Sequence, residues 1–191
     1  MTAETVTSYT TADFVHYVSR QPHAMAGAVI ALSAAQAVAL GQACLQISTN
    51  LAHLTEEIMG APIRQVNQIK EELLQLCDQD AGAIAEYVTL REAGKTLAGQ
   101  QLLCHMPAEV GQLSIKAAAI LQDSRPNVNE RVQDDLEMSI SLLAGTAQAS
   151  MLLLDSNLRL WPEQALLVEF EPLLKSVESG IGRLSPVKRI R

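Results

Sequence analysis

Aromatic side chains are scarce in this chain: two Phe, three Tyr and one Trp make up 3% of 191 residues. Sandwiches and barrels rest on β-branched and aromatic strands, so a strand-built core is disfavoured, whereas a helix bundle tolerates an aliphatic interior. Cysteine is equally sparse. Cys44, Cys77 and Cys104 are odd in number and fall within helical patterns. That predicts buried, reduced thiols of a cytoplasmic protein rather than a disulfide framework or a metal role. No glycine-rich phosphate loop, paired-cysteine zinc motif, His-Glu-x-x-His helix or nucleophile elbow occurs. The histidines, His16, His23, His53 and His105, are scattered. Cys104 and His105 are neighbours, but successive helix positions point about 100° apart, so no metal is expected there. The N-terminus lacks the basic start and apolar stretch of a signal peptide. Basic residues number 14 against 21 acidic ones, and the net charge of −7 argues against a nucleic-acid or anionic-membrane partner.

What is present is aliphatic and helical in period. The length suits one domain with a substantial core. From Ala24 to Thr55 no residue is formally charged, which is long enough to cross a bilayer. The stretch is rich in Ala and carries Gln36, Gln42 and Gln46, costly in lipid, so a helix buried in protein and no membrane partner are expected. Thr10, Thr11 and Asp13 offer a capped helix start. Phe14, Tyr17 and Val18 mark its inner face, and it stops before Pro22. A second helix is predicted from about Ala24 to Met59, broken by Gly60-Ala-Pro62.

The third helix has the clearest period. Val66, Ile69, Leu73, Leu76, Asp80, Ala83, Tyr87 and Leu90 follow alternating steps of three and four, a bundle seam. Gly94 to Gly99 interrupts it. A fourth helix runs through Met106, Val110, Leu113, Ala117 and Ile120, with Pro107 expected in its first turn. Ser124 to Asn127 is a turn. The fifth helix presents Val132, Leu136, Ile140, Leu143, Ala147, Leu154 and Leu158 and ends at Trp161-Pro162. A last helix is expected to break or bend near Pro172. The architecture is therefore an all-α, up-and-down bundle of long antiparallel helices. Its segments are a disordered stretch over 1–9, one helical domain over 10–184 and a solvated basic tail over 185–191.

Two carboxylate sites stand out. Asp80 occupies a seam position where a leucine is expected. It must be opened to solvent, paired or set in a polar cavity, because an unpaired buried charge is expensive. The alternative is a seam rotated so that Ile84 faces inward and Asp80 lies at the edge. Asp134 and Asp135 start the fifth helix, and ordinary partnership with its dipole would account for them.

In their order these features resemble the cyclodeaminase domain of formiminotransferase-cyclodeaminase and the related methenyltetrahydrofolate cyclohydrolases, from about Thr10 to Leu158. The resemblance rests on Ser19-Arg-Gln-Pro22 and on the small-residue helix from Val29 to Leu40. It rests also on the run Lys70 to Ala81, with its Asp78-Gln-Asp80-Ala81, and on Arg125-Pro126-Asn127 before Asp135. It implies an all-helical homodimer that binds a tetrahydrofolate derivative, as substrate or ligand, in a cleft near the subunit contact. The implied activity is hydrolysis of the 5,10-methenyl bridge or loss of ammonia from a formimino-folate. Asp135, Asp80 and His23 are its candidate catalytic residues; Pro22, Gly27, Asn127 and Asp134 are its candidate substrate contacts. The two catalytic aspartates are expected to converge on one hollow beside the start of the second helix.

One departure bears on function. The family's Pro-x-Pro-Gly-Gly-Gly-Ser reads here Pro22-His23-Ala24-Met25-Ala26-Gly27-Ala28, so only Pro22 and the last glycine remain. Met25 and Ala26 add side chains where bare backbone would approach a ligand. That keeps a second reading open: a catalytically silent helical homologue serving as a dimeric binding or assembly module.

Overall fold

The computed structural model describes residues 5–52 and 56–190. Six α-helices carry the fold: α1 (Thr11–Arg20), α2 (Ala26–Ala52), α3 (Glu56–Glu92), α4 (Thr96–Ser124), α5 (Gln133–Leu160) and α6 (Gln164–Arg183). Three short 3-10 turns accompany them, and no strand occurs among the described residues. Side-chain pairs fix the directions. Gln42 with Asn67, and Ala28 with Asp80, set α2 against α3 head to tail. Ser114 with Thr146, and Arg125 with Glu137, do so for α4 and α5. Ser139 Oγ donates to the Ala37 carbonyl and the Asn129 amide donates to Ser48 Oγ, so α5 returns antiparallel beside α2. Helices α2 to α5 thus form an up-and-down ring, as the periods predict. Helix α6 lies over α4 and α5, running parallel to α4: Gln100 and Gln101 donate to Glu163 and Glu169.

The core is aliphatic. Val66, Ile69 and Leu73 of α3 meet Leu136, Ile140 and Leu143 of α5 in one buried cluster, and Ala28, Ala31, Ala34 and Ala35 let α2 approach closely. A smaller cluster under α6 joins Cys104, Ala108, Leu154, Leu158, Leu166 and Phe170. Helix α2 and the stretch from Glu130 to Leu160 are long and apolar enough to cross a membrane, but Ala28, Ala31, Leu136 and Ile140 are fully shielded inside the bundle. All three cysteines are free and buried. Burial, the largest cause, holds the Cys44 thiol up at about 11 and those of Cys77 and Cys104 at about 12.

The prolines depart from expectation, each for a physical reason. Pro62 lies inside α3 and does not break the chain; α2 is described to Ala52 and α3 from Glu56, and 53–55 lie outside the described residues. Its missing N–H would have reached the Ile58 carbonyl, on an exposed residue in the first turn of α3. Pro107 is interior to α4, eleven residues past Thr96. Its ring leaves the carbonyl of Leu103 without a helical donor, and Asn157 Nδ2 of α5 donates to that carbonyl at 2.8 Å. Pro172 lies within an uninterrupted α6, where the carbonyl it frees, that of Val168, belongs to an exposed residue. The turn between α3 and α4 closes on Gly94, whose φ of 73° suits a residue without a β-carbon.

Segments near both ends are also held. Of the stretch 1–9, expected to be disordered, 5–9 carry a 3-10 turn over Val6–Ser8, and 1–4 lie outside the described residues. Val6 is buried, and the Thr7 amide and hydroxyl both bond Asp78, at 2.9 and 2.7 Å. At the other end the Ser185 amide donates to Gln122 Oε1, and the Ser185 carbonyl accepts from Arg125. Arg125 in turn grips Glu137 through two bonds of 2.6 and 2.7 Å. Glu137 is only 7% exposed, so Arg125→Met leaves a buried, unpaired carboxylate. A stability loss of about 2–4 kcal/mol is expected, read as a lower urea midpoint at neutral pH.

Candidate functional site

Helix α2 starts late. Its first turn faces Asp80, yet α3 continues to Glu92, about 18 Å further. Helices α4 and α5 flank the same end, so the place that another turn or two of α2 would fill is left as a cavity of about 350 Å³. That volume falls within the range of small-molecule sites. Its floor is the segment from His23 to Gly27 together with Asp80. Its walls are Ile84, Tyr87 and Val88 of α3, Leu103 of α4, and Leu153, Asn157, Leu160 and Trp161 at the end of α5. Tyr87 and Trp161 stand with ring centres 5.6 Å apart and planes tilted by 32°, an aromatic pair in the lining of the cavity that holds the Asp80 carboxyl.

Asp80 Oδ2 accepts a 2.6 Å hydrogen bond from the Ala28 amide, one of the first-turn N–H groups that α2 cannot satisfy itself. Burial pushes the Asp80 carboxyl above its ordinary value; the Ala28 amide and His23 oppose that shift. A β-carbon on Gly27 would overlap the Asp80 carboxylate, so the surviving glycine is what lets α2 and α3 close at this point. Asp78, two residues earlier and about 200° around α3, faces the other way and holds Thr7. The two aspartates of the Asp-x-Asp run thus serve different joints. Both sequence readings of Asp80 are partly met: it is half-buried, and Ile84 lines the cavity beside it.

Of the other residues singled out in sequence, His23 and Gly27 line this cavity with Asp80. Met25 packs into the core and forms part of the wall, and the hollow stays open. Pro22 is exposed in the α1–α2 connection and does not line it. Asp134 and Asp135 are exposed in the first turn of α5. The charge of Asp135 helps to raise the Cys44 thiol pKa, and some 27 Å of α5 separates it from Leu153 at the cavity. Asn127 lines a different, shallow hollow with Met59, Pro62 and Asp123. Within one chain the two proposed catalytic acids therefore do not share a cavity. Sequence reasoning missed Trp161, Leu160 and Asn157; the lone tryptophan was visible, but only as a helix end. A larger groove of about 790 Å³ lies between Met138 and Leu142 of α5 and the tail residues Val187 and Ile190, but its carboxylate, Glu137, is already held by Arg125. Among the described residues no group of three His, Cys, Asp or Glu side chains is placed to hold a metal ion.

The fold and cavity define an all-α antiparallel bundle with a small-molecule site at the start of its second helix. Residues 10–172 match the family described as formiminotransferase-cyclodeaminase, and the chain belongs to that family. Its fold is similar to the crystal structure of formiminotetrahydrofolate cyclodeaminase from Thermotoga maritima, with a TM-score of 0.84 at 18% identity over 93% of this chain and 92% of that one. At that identity the likeness is one of fold. Among curated proteins none matches the chain by sequence.

The raised Asp80 pKa has a consequence for stability. The folded chain holds the proton more tightly than the unfolded chain, whose value is 3.8. This stabilisation is complete below that value and is lost as pH rises through the folded pKa. Asp80→Asn stays neutral and keeps a carbonyl for the Ala28 amide. It is expected to be at least as stable as the native chain at neutral pH, with the advantage shrinking as pH falls toward 3.8. Thermal melts across that range check the sign.

Proposed function

We propose that this chain carries out folate-dependent one-carbon chemistry, hydrolysing the 5,10-methenyl bridge of a tetrahydrofolate derivative. Loss of ammonia from a formimino-folate is the related reaction. The observation that carries the reading is a half-buried carboxyl, Asp80, fixed at the first turn of α2 in a cavity that Tyr87 and Trp161 also line. The cavity suits the fused-ring end of such a molecule, with the remainder extending outside.

The bridge carbon of a methenyl-folate belongs to an amidinium-like cation. A carboxylate facing it stabilises the cation and takes a proton from attacking water. Water's oxygen bonds to the bridge carbon while one of its protons passes to Asp80. One C–N bond then breaks, its nitrogen taking that proton back, and the new hydroxyl loses its proton to solvent as the formyl carbonyl forms. A carboxyl with a raised pKa is suited to both transfers. His23, at the cavity's rim, is the proton carrier to solvent.

The partner in this reading is a second copy of the chain. No residue from Met138 to Leu154 is charged, nor any in α2. Val29, Ile47 and Leu51 of α2 and Met138, Leu142 and Leu152 of α5 are exposed on these adjoining helices. A strip about 40 Å long and two helices wide offers on the order of 800 Å² per copy, what a stable dimer needs. Antiparallel pairing across it would bring Asp135, Asp134 and Asn127 of a second copy toward the cavity that they do not reach within their own chain. Three buried thiols and the net charge of −7 support a cytoplasmic setting apart from nucleic acid and membrane.

Incubation with methenyltetrahydrofolate is expected to accelerate loss of its near-ultraviolet absorbance, and Asp80→Asn to lower kcat about 10²–10⁴-fold without unfolding. A native chain that neither accelerates the loss nor gains thermal stability from any folate would discard the enzyme reading and leave the assembly module. Light scattering is expected to return twice the 20.6 kDa chain mass; a monomer, or a dimer unaffected by Leu142→Glu, counts against the proposed face.

A further inference from the structure

Asp80 stands between two spaces. On one side is the cavity; on the other is a narrow gap bounded by Gly27, Leu76, Met106, Pro107 and Leu153, with no room for a water molecule. Besides Asp80, the Ser150 hydroxyl of α5 is the side-chain polar group at its edge. Ser150 is 1% exposed, and its Oγ makes no hydrogen bond among the described residues. The other buried hydroxyls of the bundle are satisfied: Ser48 bonds the Cys44 carbonyl, Ser114 that of Val110, Ser124 that of Ile120, Ser139 that of Ala37 and Thr146 that of Leu143. A buried hydroxyl left without its bond is destabilising, and an alanine would fill the position without that cost. An orphan of this kind asks for a reason, and it borders the same gap as the one ionisable group there.

We propose that Ser150 is a positioning residue for Asp80: the carboxyl turns between the Ala28 amide at the start of α2 and the Ser150 hydroxyl across the gap. The inference rests on the reading of Asp80 as the group that takes and returns a proton. The Ala28 amide only donates, so it serves the carboxylate but offers nothing to the O–H of the acid. A hydroxyl both donates and accepts. It donates to the carboxylate, then reverses to accept from the acid once water's proton has arrived, and reverses again when the proton leaves for nitrogen. No further reactant enters. Gly27 permits the turn, because the carboxyl rests against the face that a β-carbon would fill. The groups that bear on the charge of Asp80 are His23 ahead of α2 and Cys77 on α3, and Tyr87 lines the cavity beside it. Helices α4 and α5 present no charged side chain to either space.

The test titrates the Asp80 carboxyl by NMR in chain carrying ¹³C-labelled aspartate, without substrate, for native protein, Ser150→Ala and Ser150→Thr. Ser150→Ala is expected to melt no lower than the native chain. Its Asp80 midpoint should move upward by at least about half a pH unit, since a donor to the carboxylate is gone. In the hydrolysis assay its kcat should fall about tenfold with KM changed by less than about twofold, and its pH profile should move the same way. Threonine, which keeps the hydroxyl, should restore both. Should the alanine chain not fold, Ser150→Cys, similar in size with a weaker donor, carries the same titration. An Asp80 midpoint unmoved by removal of the hydroxyl overturns the inference, whatever the assay returns. A moved midpoint in a chain whose native form hydrolyses nothing keeps the pairing and overturns the catalytic reading instead.

Discussion

The contact between the Asp80 carboxylate and the Ala28 amide joins α2 to α3, the longest helix of the ring, at the point where α2 begins. A helix start has unsatisfied N–H groups and a partial positive charge, and both favour an acid beside it. Burial works in the opposite direction and wins, holding the carboxyl above its ordinary pKa. A β-carbon at position 27 would displace the carboxyl from this place. Because α2 starts here while α3 runs on, the joint also forms the floor of the cavity. One local conflict, a charge that the backbone favours and the core resists, thus sets the site's position, its chemistry and its tolerance to substitution.

A second theme is repair across helices. Three helices contain proline after their first turn, and each frees one carbonyl. Pro62 and Pro172 free carbonyls on exposed residues. Pro107 is buried, and there the structure supplies a donor from elsewhere, Asn157. That bond does more than mend α4. It pins the end of α5 against α4 at the cavity wall, next to Trp161. The tail is fastened in a comparable way, through an arginine that reaches the backbone of Ser185 while gripping Glu137. In both places a polar group left over from one element is satisfied by a side chain far away in sequence.

Much of the bundle was legible before any coordinates. The seam from Val66 to Ala83 is buried as its period requires, apart from Asp80, and Leu136 to Leu158 lines α5 as expected. Asp80 itself was legible as the residue that violates the pattern, and violations of a strong pattern are where function concentrates. The prolines were misread because a local rule, that proline ends or starts a helix, takes no account of whether the freed carbonyl sits on an exposed residue or meets a donor from another chain segment. Asp135 was assigned to the site by likeness of order along the chain. Order says nothing of distance through space, and the antiparallel course of α5 carries Asp135 to the far end of the bundle.

Alone, the sequence determined the class of structure: few aromatics, long aliphatic periods of three and four, and caps and turns at most of the helix ends, because each of these acts through neighbours within a turn or two. It also marked the acid that does not belong on an apolar seam. Only the tertiary structure decided where α2 stops short, which residues wall the resulting hollow, that Asn157 completes α4 and that Ser150 is left without a partner. Those outcomes depend on groups 40 to 70 residues apart meeting at bonding or packing distance, and no periodicity in a single chain encodes such meetings.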